Sequence, residues 1–218
     1  MLTQWALLSV EVRWSIAGIV ALLVIASLAR RLLETLRPQS DFTELRQRIR
    51  TWWLMATVFL VALVLDRTIS IIFLALVSFL ALKEYLSLIP SRRADRRVMY
   101  WAFLAIPLQY LWVALEWYGL FLIFIPVYMF LLLPLRMVVI GETDGFLRAI
   151  GTLHWGLMAT VYNISHASFL LVLRPEGEPD AVAGPGLLLL LVFLTQANDI
   201  AQYLWGRTIG RRAIVPKV

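Results

Sequence analysis

The sequence predicts an all-α integral membrane protein of about seven transmembrane helices, and three observations carry that prediction. Of the 218 residues, 61% are hydrophobic and 16% are charged, against about 25% charged in an ordinary soluble domain. The mean hydropathy is +0.81. The apolar residues also come in long runs parted by short basic stretches, the pattern of spans and loops. Residues 1–218 read as a single multi-pass membrane domain.

Composition also narrows the chemistry. There is no cysteine, which excludes disulfides and thiolate-bound metals. The net charge of +6 is explained by basic cytoplasmic loops, so membrane lipids and not nucleic acid are the expected surroundings. The first apolar run follows Glu11 and Arg13, with no basic leader and no small-residue cleavage site before Arg30. It is expected to remain as an anchor and not to leave as a signal peptide.

The runs occupy 14–29, 51–65, 68–82, 98–115, 117–135, 149–173 and 186–205. Several fall short of the ~20 residues of a perpendicular span. Runs two and three meet at Asp66-Arg67 and read either as a tight helical hairpin or as one kinked, re-entrant pair. Charge tests the count. With the N-terminus outside, the inner loops hold all of the 20 lysines and arginines except Arg13, Arg67 and Arg174. The acidic stretch Glu176, Glu178 and Asp180 falls outside. That segregation favours seven spans, N-out and C-in, in a cytoplasmic (inner) membrane.

Between the first two runs, Pro38 stops one helix and Ser40-Asp41 can cap the next, Asp41 and Glu44 having capping-box spacing. Phe42, Leu45 and Ile49 recur on one face, with Arg46, Arg48 and Arg50 over the rest. This predicts a short amphipathic helix lying on the inner leaflet. It reads as a topology anchor or, more sharply, as a recruiter of anionic lipid. Trp52-Trp53 fits an interfacial aromatic belt. Ser91-Arg92-Arg93 and Arg96-Arg97 have the same double reading, orientation or lipid phosphate. Pro107, Pro126 and Pro134 each free a backbone carbonyl and predict kinked helices packed on neighbours.

The sixth run is the most polar, with His154 near its start and Thr160, Tyr162, Asn163, Ser165, His166 and Ser168 further on. Asn163 and His166 share a face. His154 lies twelve residues before His166, roughly 120° round the helix, which argues against a two-histidine metal site. Interhelical hydrogen bonding and a polar headgroup cavity are the two readings.

The last run delivers Asn198 and Asp199 to its end, followed by Tyr203, Gly206, Arg207, Gly210, Arg211, Arg212 and Lys217. A carboxylate at membrane depth needs a partner, a cavity or a metal. Arginine and lysine just beyond it suit phosphates. The Gly206/Gly210 spacing is that of close helix packing. No Walker-type glycine loop and no nucleophile–base pair is recognisable.

Asn198-Asp199, Tyr203, Gly206-Arg207, Gly210-Arg211 and Pro216-Lys217 resemble the middle motif of the phosphatidate cytidylyltransferase (CDP-diacylglycerol synthase) family. The resemblance implies a nucleotidyltransferase of phospholipid biosynthesis that uses CTP and phosphatidic acid and releases pyrophosphate. It further implies Mg²⁺ on Asp199, with Asn198 orienting that carboxylate or adding a carbonyl ligand. Arg207, Arg211, Arg212 and Lys217 become the phosphate contacts, and a homo-oligomer is one arrangement. The family's Ser-Pro-x-Lys-Thr segment and its C-terminal Lys-Asp, His-Gly-Gly and Asp-Arg-x-Asp signature are not among these residues. The expectation is that this chain alone does not catalyse and that a second chain or further segment completes the site. Two other classes stay open: a lipid-binding or accessory membrane protein, and a small ion- or proton-coupled transporter relaying through Asp199 and the polar face of run six. No internal repeat of the transporter kind is visible.

Overall fold

A computed structural model describes residues 10–36, 42–89, 93–141, 145–173 and 184–210, and the regular structure among them is all helical. The rods are α1 (Val10–Leu36), α2 (Thr43–Leu65), α3 (Arg67–Ser87), α4 (Arg93–Ala114), α5 (Tyr118–Ile140), α6 (146–172) and α7 (Gly184–Thr208). Each predicted apolar run lies within one of them, give or take a residue or two at its ends. Among the described residues, four segments are long and apolar enough to cross a membrane: α1, α3, α5 and the stretch Gly184–Gln202 of α7.

The separate amphipathic helix is corrected. Residues 43–65 form one continuous rod, and the Thr51 hydroxyl donates to the Gln47 carbonyl at 3.0 Å across the expected boundary. No proline or glycine interrupts this stretch, so extending a helix already nucleated costs less than stopping it. Ile49 is buried against protein, while Leu45 on the same expected face is exposed. The helix starts behind Phe42, which caps nothing with its side chain; Pro38, Ser40 and Asp41 lie outside the described residues. Trp53, expected only to sit in an aromatic belt, donates its indole N–H to the Ser27 hydroxyl at 3.0 Å and ties α2 to α1.

Runs two and three are distinct helices broken at one extended residue, Asp66 (φ −166°, ψ 151°). Its carboxylate accepts the Thr68 N–H at 2.9 Å, a standard helix start. The Ser70 hydroxyl reaches back to the Ala62 carbonyl at 2.9 Å, so the chain turns sharply there.

Cross-links define two ends of the bundle. At one, Arg67 at the start of α3 pairs with Glu116 after α4 at 2.7 Å. At the other, Glu34 of α1 takes Arg30 and Arg46 at 2.7 and 3.0 Å. At that second end, too, Tyr85 of α3 donates to the Thr152 carbonyl of α6 at 3.0 Å. Gly141 and Gly145, both with positive φ, turn α5 into α6 there.

The core lies among α3, α4, α5 and α6, where Leu82, Val98, Val113, Phe121, Ile125, Leu133, Met137, Leu157 and Val161 are fully buried. In lipid such contact rests on close packing more than on expulsion of water. Gly156 shows how close: a Cβ there would stand 2.5 Å from the Tyr85 ring. Both α5 and α6 widen to a π-helical turn, at Phe124–Met129 and Leu157–Tyr162, and the two wide turns pack together.

Pro126 sits in the first of these turns, and its consequence is visible. With no N–H at 126 the Leu122 carbonyl loses its usual donor; the Tyr162 hydroxyl supplies one at 3.0 Å. The neighbouring Phe121 carbonyl accepts from Gln109 Nε2 at 3.2 Å. The expectation that neighbouring helices satisfy carbonyls freed by proline holds here. Pro107 and Pro134 stand inside α4 and α5.

Candidate functional site

The start of α7 wedges against the end of α6 and the start of α1. A Cβ on Gly184 would collide with the Leu171 carbonyl, and one on Gly186 would come within 3.1 Å of Val12. From there the rod continues to Thr208. Past Leu189 it parts from its neighbours. From Leu190 to Gly210 every residue whose side chain is described is exposed except Val192 and Ala201, which are half-buried.

Asn198 and Asp199 lie on this outer part, about 22 Å along the rod from Gly184 at 1.5 Å per residue. Both are exposed. As sequence neighbours they point about 100° apart, so one ion is not gripped by both without help. Arg207 stands in the last turn of the same helix, about 12 Å further along its axis. Arg211, Arg212 and Lys217, with Pro216, lie outside the described residues. The structure thus sets Asp199 and Arg207 on one rod but, among the described residues, brings no cation into contact with the carboxylate.

The two glycines do not pack a second helix among the described residues. A Cβ on Gly206 would meet nothing within 4 Å, while one on Gly210 would strike the Gly206 carbonyl. Gly210 closes the helix, its N–H reaching the Trp205 carbonyl at 3.3 Å.

Span six resolves differently. The Thr160 hydroxyl donates to the Gly156 carbonyl at 2.7 Å, and that of Ser165 to the Tyr162 carbonyl at 2.7 Å. Gln109 Nε2 donates to Ser165 Oγ at 3.1 Å. His166 Nδ1 lies 2.8 Å from the Tyr162 carbonyl, so that nitrogen carries the proton. Its ring rests on Phe121, centroids 4.7 Å apart. His154 packs instead on Phe130, at 5.2 Å, and the two histidines share no site. Of these, the bond from Gln109 to Ser165, with that from the Tyr162 hydroxyl to the Leu122 carbonyl, joins α6 to other helices, the first of the two readings; Thr160 and His166 bond within α6. Asn163 faces outward, and Ser168 is buried with its hydroxyl unpartnered among the described residues.

Sequence reasoning missed Gln109 and the pair Ser78 and Tyr110. The Ser78 hydroxyl donates to Tyr110, whose own O–H goes to the Leu74 carbonyl at 2.9 Å. A lone glutamine two residues after a proline in an apolar run was the available signal. A shallow open groove lined by Gln47, Arg48, Thr51, Trp52 and Met55 involves none of the motif residues.

For Mg²⁺, which takes six oxygen ligands and is usually held through one or two carboxylates plus substrate phosphates, the described residues give Asp199 alone at this place. No group of three or more histidines or carboxylates with metal-holding geometry occurs among them. As described, these residues do not by themselves fit a bound metal.

The family model of the cytidylyltransferase family matches residues 46–218, the motif included. A relative, the uncharacterized protein YnbB of Escherichia coli (strain K12), is 42% identical over 204 residues. The alignment covers 94% of this chain and 66% of the relative's length. No solved structure matches. A motif at the end of a membrane-length helix and a family match over most of the sequence agree: the chain belongs to the cytidylyltransferase family.

Proposed function

We propose that this protein takes part in CTP-dependent cytidylyl transfer to phosphatidic acid, giving CDP-diacylglycerol and pyrophosphate for phospholipid biosynthesis. A phosphate oxygen of the lipid attacks the α-phosphorus of CTP; the bond to the β-phosphate bridging oxygen breaks and pyrophosphate leaves. The observation that carries the reading is the family match across 46–218, which includes Asn198-Asp199 and the cations after them. Several anionic groups must meet in such a step, so it needs cations near the transferred phosphorus.

Arg207, Arg211, Arg212 and Lys217 are proposed to hold the phosphates, and Asp199, oriented by Asn198, to hold Mg²⁺ together with ligands from beyond the described residues. A further segment or a second copy of the chain supplies them. All seven rods are taken to span the inner membrane, N-out and C-in, with 198–217 at the cytoplasmic face where CTP is found. The segregation of lysine and arginine supports that orientation.

The test is formation of labelled CDP-diacylglycerol from labelled CTP and dioleoyl phosphatidate with Mg²⁺. Detergent-purified 1–218 should stay at background. Turnover by that chain alone would sink the claim that Asp199 needs partners. The same chain joined to the remaining third of its Escherichia coli relative should gain activity, and lose it with Asp199→Asn. Transfer to a different lipid would keep the reaction class and overturn the acceptor.

A further inference from the structure

We propose that Arg97, Trp101 and Arg136 form a binding site for the phosphate group of an anionic membrane lipid, where α4 begins and α5 ends. The guanidinium carbon of Arg136 stands 4.6 Å from the centroid of the Trp101 ring. A guanidinium held over an indole in this way is drawn to the ring and restrained, and it keeps N–H donors for a further partner. Arg136 Nε is enclosed without an acceptor, while its two terminal nitrogens are not enclosed. Arg97 lies one helical turn before Trp101, on the same face of α4, and is exposed. Neither arginine has a carboxylate partner among the described residues.

One cation thus lies over the indole and a second stands one turn before it on the same helix face, neither with a carboxylate partner among the described residues. A phosphate matches them, because it offers several oxygens to the forked donors of arginine and carries the charge they lack. The surroundings point to a lipid-borne phosphate. One turn inward from Trp101, Leu104 is 49% exposed, and on α5 Leu131 and Leu135, before Arg136, are 61% and 59% exposed. Acyl chains would lie on that apolar surface while the headgroup meets the arginines. The site involves neither Asp199 nor CTP, so it stands or falls apart from the cytidylyl-transfer reading.

Native mass spectrometry of the full chain in a neutral detergent provides the test, with dioleoyl phosphatidate, phosphatidylglycerol and phosphatidylcholine as probes. Both anionic lipids should bind more tightly than phosphatidylcholine. Arg97→Gln and Arg136→Gln should each weaken anionic-lipid binding about fivefold, the usual contribution of one basic residue near such a surface, and leave phosphatidylcholine unchanged. Arg97 is exposed, so its variant reads the site without disturbing the fold. Trp101→Leu should weaken binding as Arg136→Gln does, by releasing the guanidinium. Equal binding of the three lipids, or unchanged affinity in both arginine variants, overturns the proposal. So does displacement of the lipid by millimolar inorganic phosphate, which would mean that the site reads a free anion.

Discussion

Helices α6 and α7 are both long apolar rods that carry a set of polar residues, and they treat those residues in opposite ways. In α6, Thr160, Tyr162, Ser165 and His166 are each committed to a carbonyl or side chain of the bundle, and Leu157, Val161, Ser165 and Ser168 are fully buried. In α7, Asn198 and Asp199 stand exposed on a half-helix whose described neighbours end near Leu189. Polar groups in lipid are costly unless paired. In α6 the bonds that cross to another helix are those of Tyr162 to the Leu122 carbonyl and of Gln109 to Ser165, while Thr160 and His166 bond carbonyls of their own helix. The polar groups of α7 remain available to a ligand, a metal or another segment.

The largest effect that would sharpen this contrast is chemical. In the chain joined to the remaining third of its relative, Asp199→Asn should lower cytidylyl transfer at least about 100-fold, as loss of a group stabilising transition-state charge does, with no change in the thermal midpoint of the purified protein. A matching fall in that midpoint would mean that Asp199 belongs to the packing after all.

Next comes a pair of glycine substitutions. Gly156→Val forces a side chain into the Tyr85 ring and should destabilise by about 1–3 kcal/mol, the cost of overpacking. Gly206→Val meets open space and should stay within about 0.5 kcal/mol. Reversible unfolding in mixed micelles reads both. Equal costs at the two positions would break the distinction between a packed and an unpacked rod.

A smaller difference is expected from hydroxyls, read by the same unfolding measurement. Tyr162→Phe orphans the Leu122 carbonyl beside Pro126 and should cost about 1 kcal/mol, the order found for interhelical hydrogen bonds in membranes. Thr195→Val removes a hydroxyl that bonds only the Leu191 carbonyl of its own helix, and should cost less than about 0.5 kcal/mol. Smallest of all, Arg67→Gln breaks a half-exposed pair with Glu116. It should cost about 0.2 kcal/mol, the low end for exposed pairs, and less as salt is raised.

How much of this was legible in the sequence depends on what each feature requires. Rod positions follow from apolar runs, and each predicted run falls on one helix because length and hydropathy are local properties. The break at Asp66 was readable from Asp66-Arg67 between two runs, although hairpin and kink were not separable. The amphipathic stretch misled because its periodicity is real, yet nothing in 43–65 stops a helix. The motif could be named from spacing alone. Its isolation could not, because exposure of Asp199 depends on where α1 and α6 end relative to α7. Gln109 and Tyr162 find the carbonyls near Pro126 only through tertiary packing, and no spacing rule pairs residues forty positions apart.

The wide turn at Phe124–Met129 has a further consequence, best put as a matter of phase. A π turn amounts to one extra residue inserted into an α-helix, and each residue advances the direction of a side chain by about 100°. Everything after the turn is therefore dialled round by that angle relative to Tyr118–Ile123. Leu133 and Met137 point into the core, and Arg136 over Trp101, because of that offset. Deleting a single residue between 124 and 129 would leave the composition of α5 almost untouched. It would also turn the whole lower half of the rod like a key, swinging core side chains into lipid and carrying the arginine off its indole.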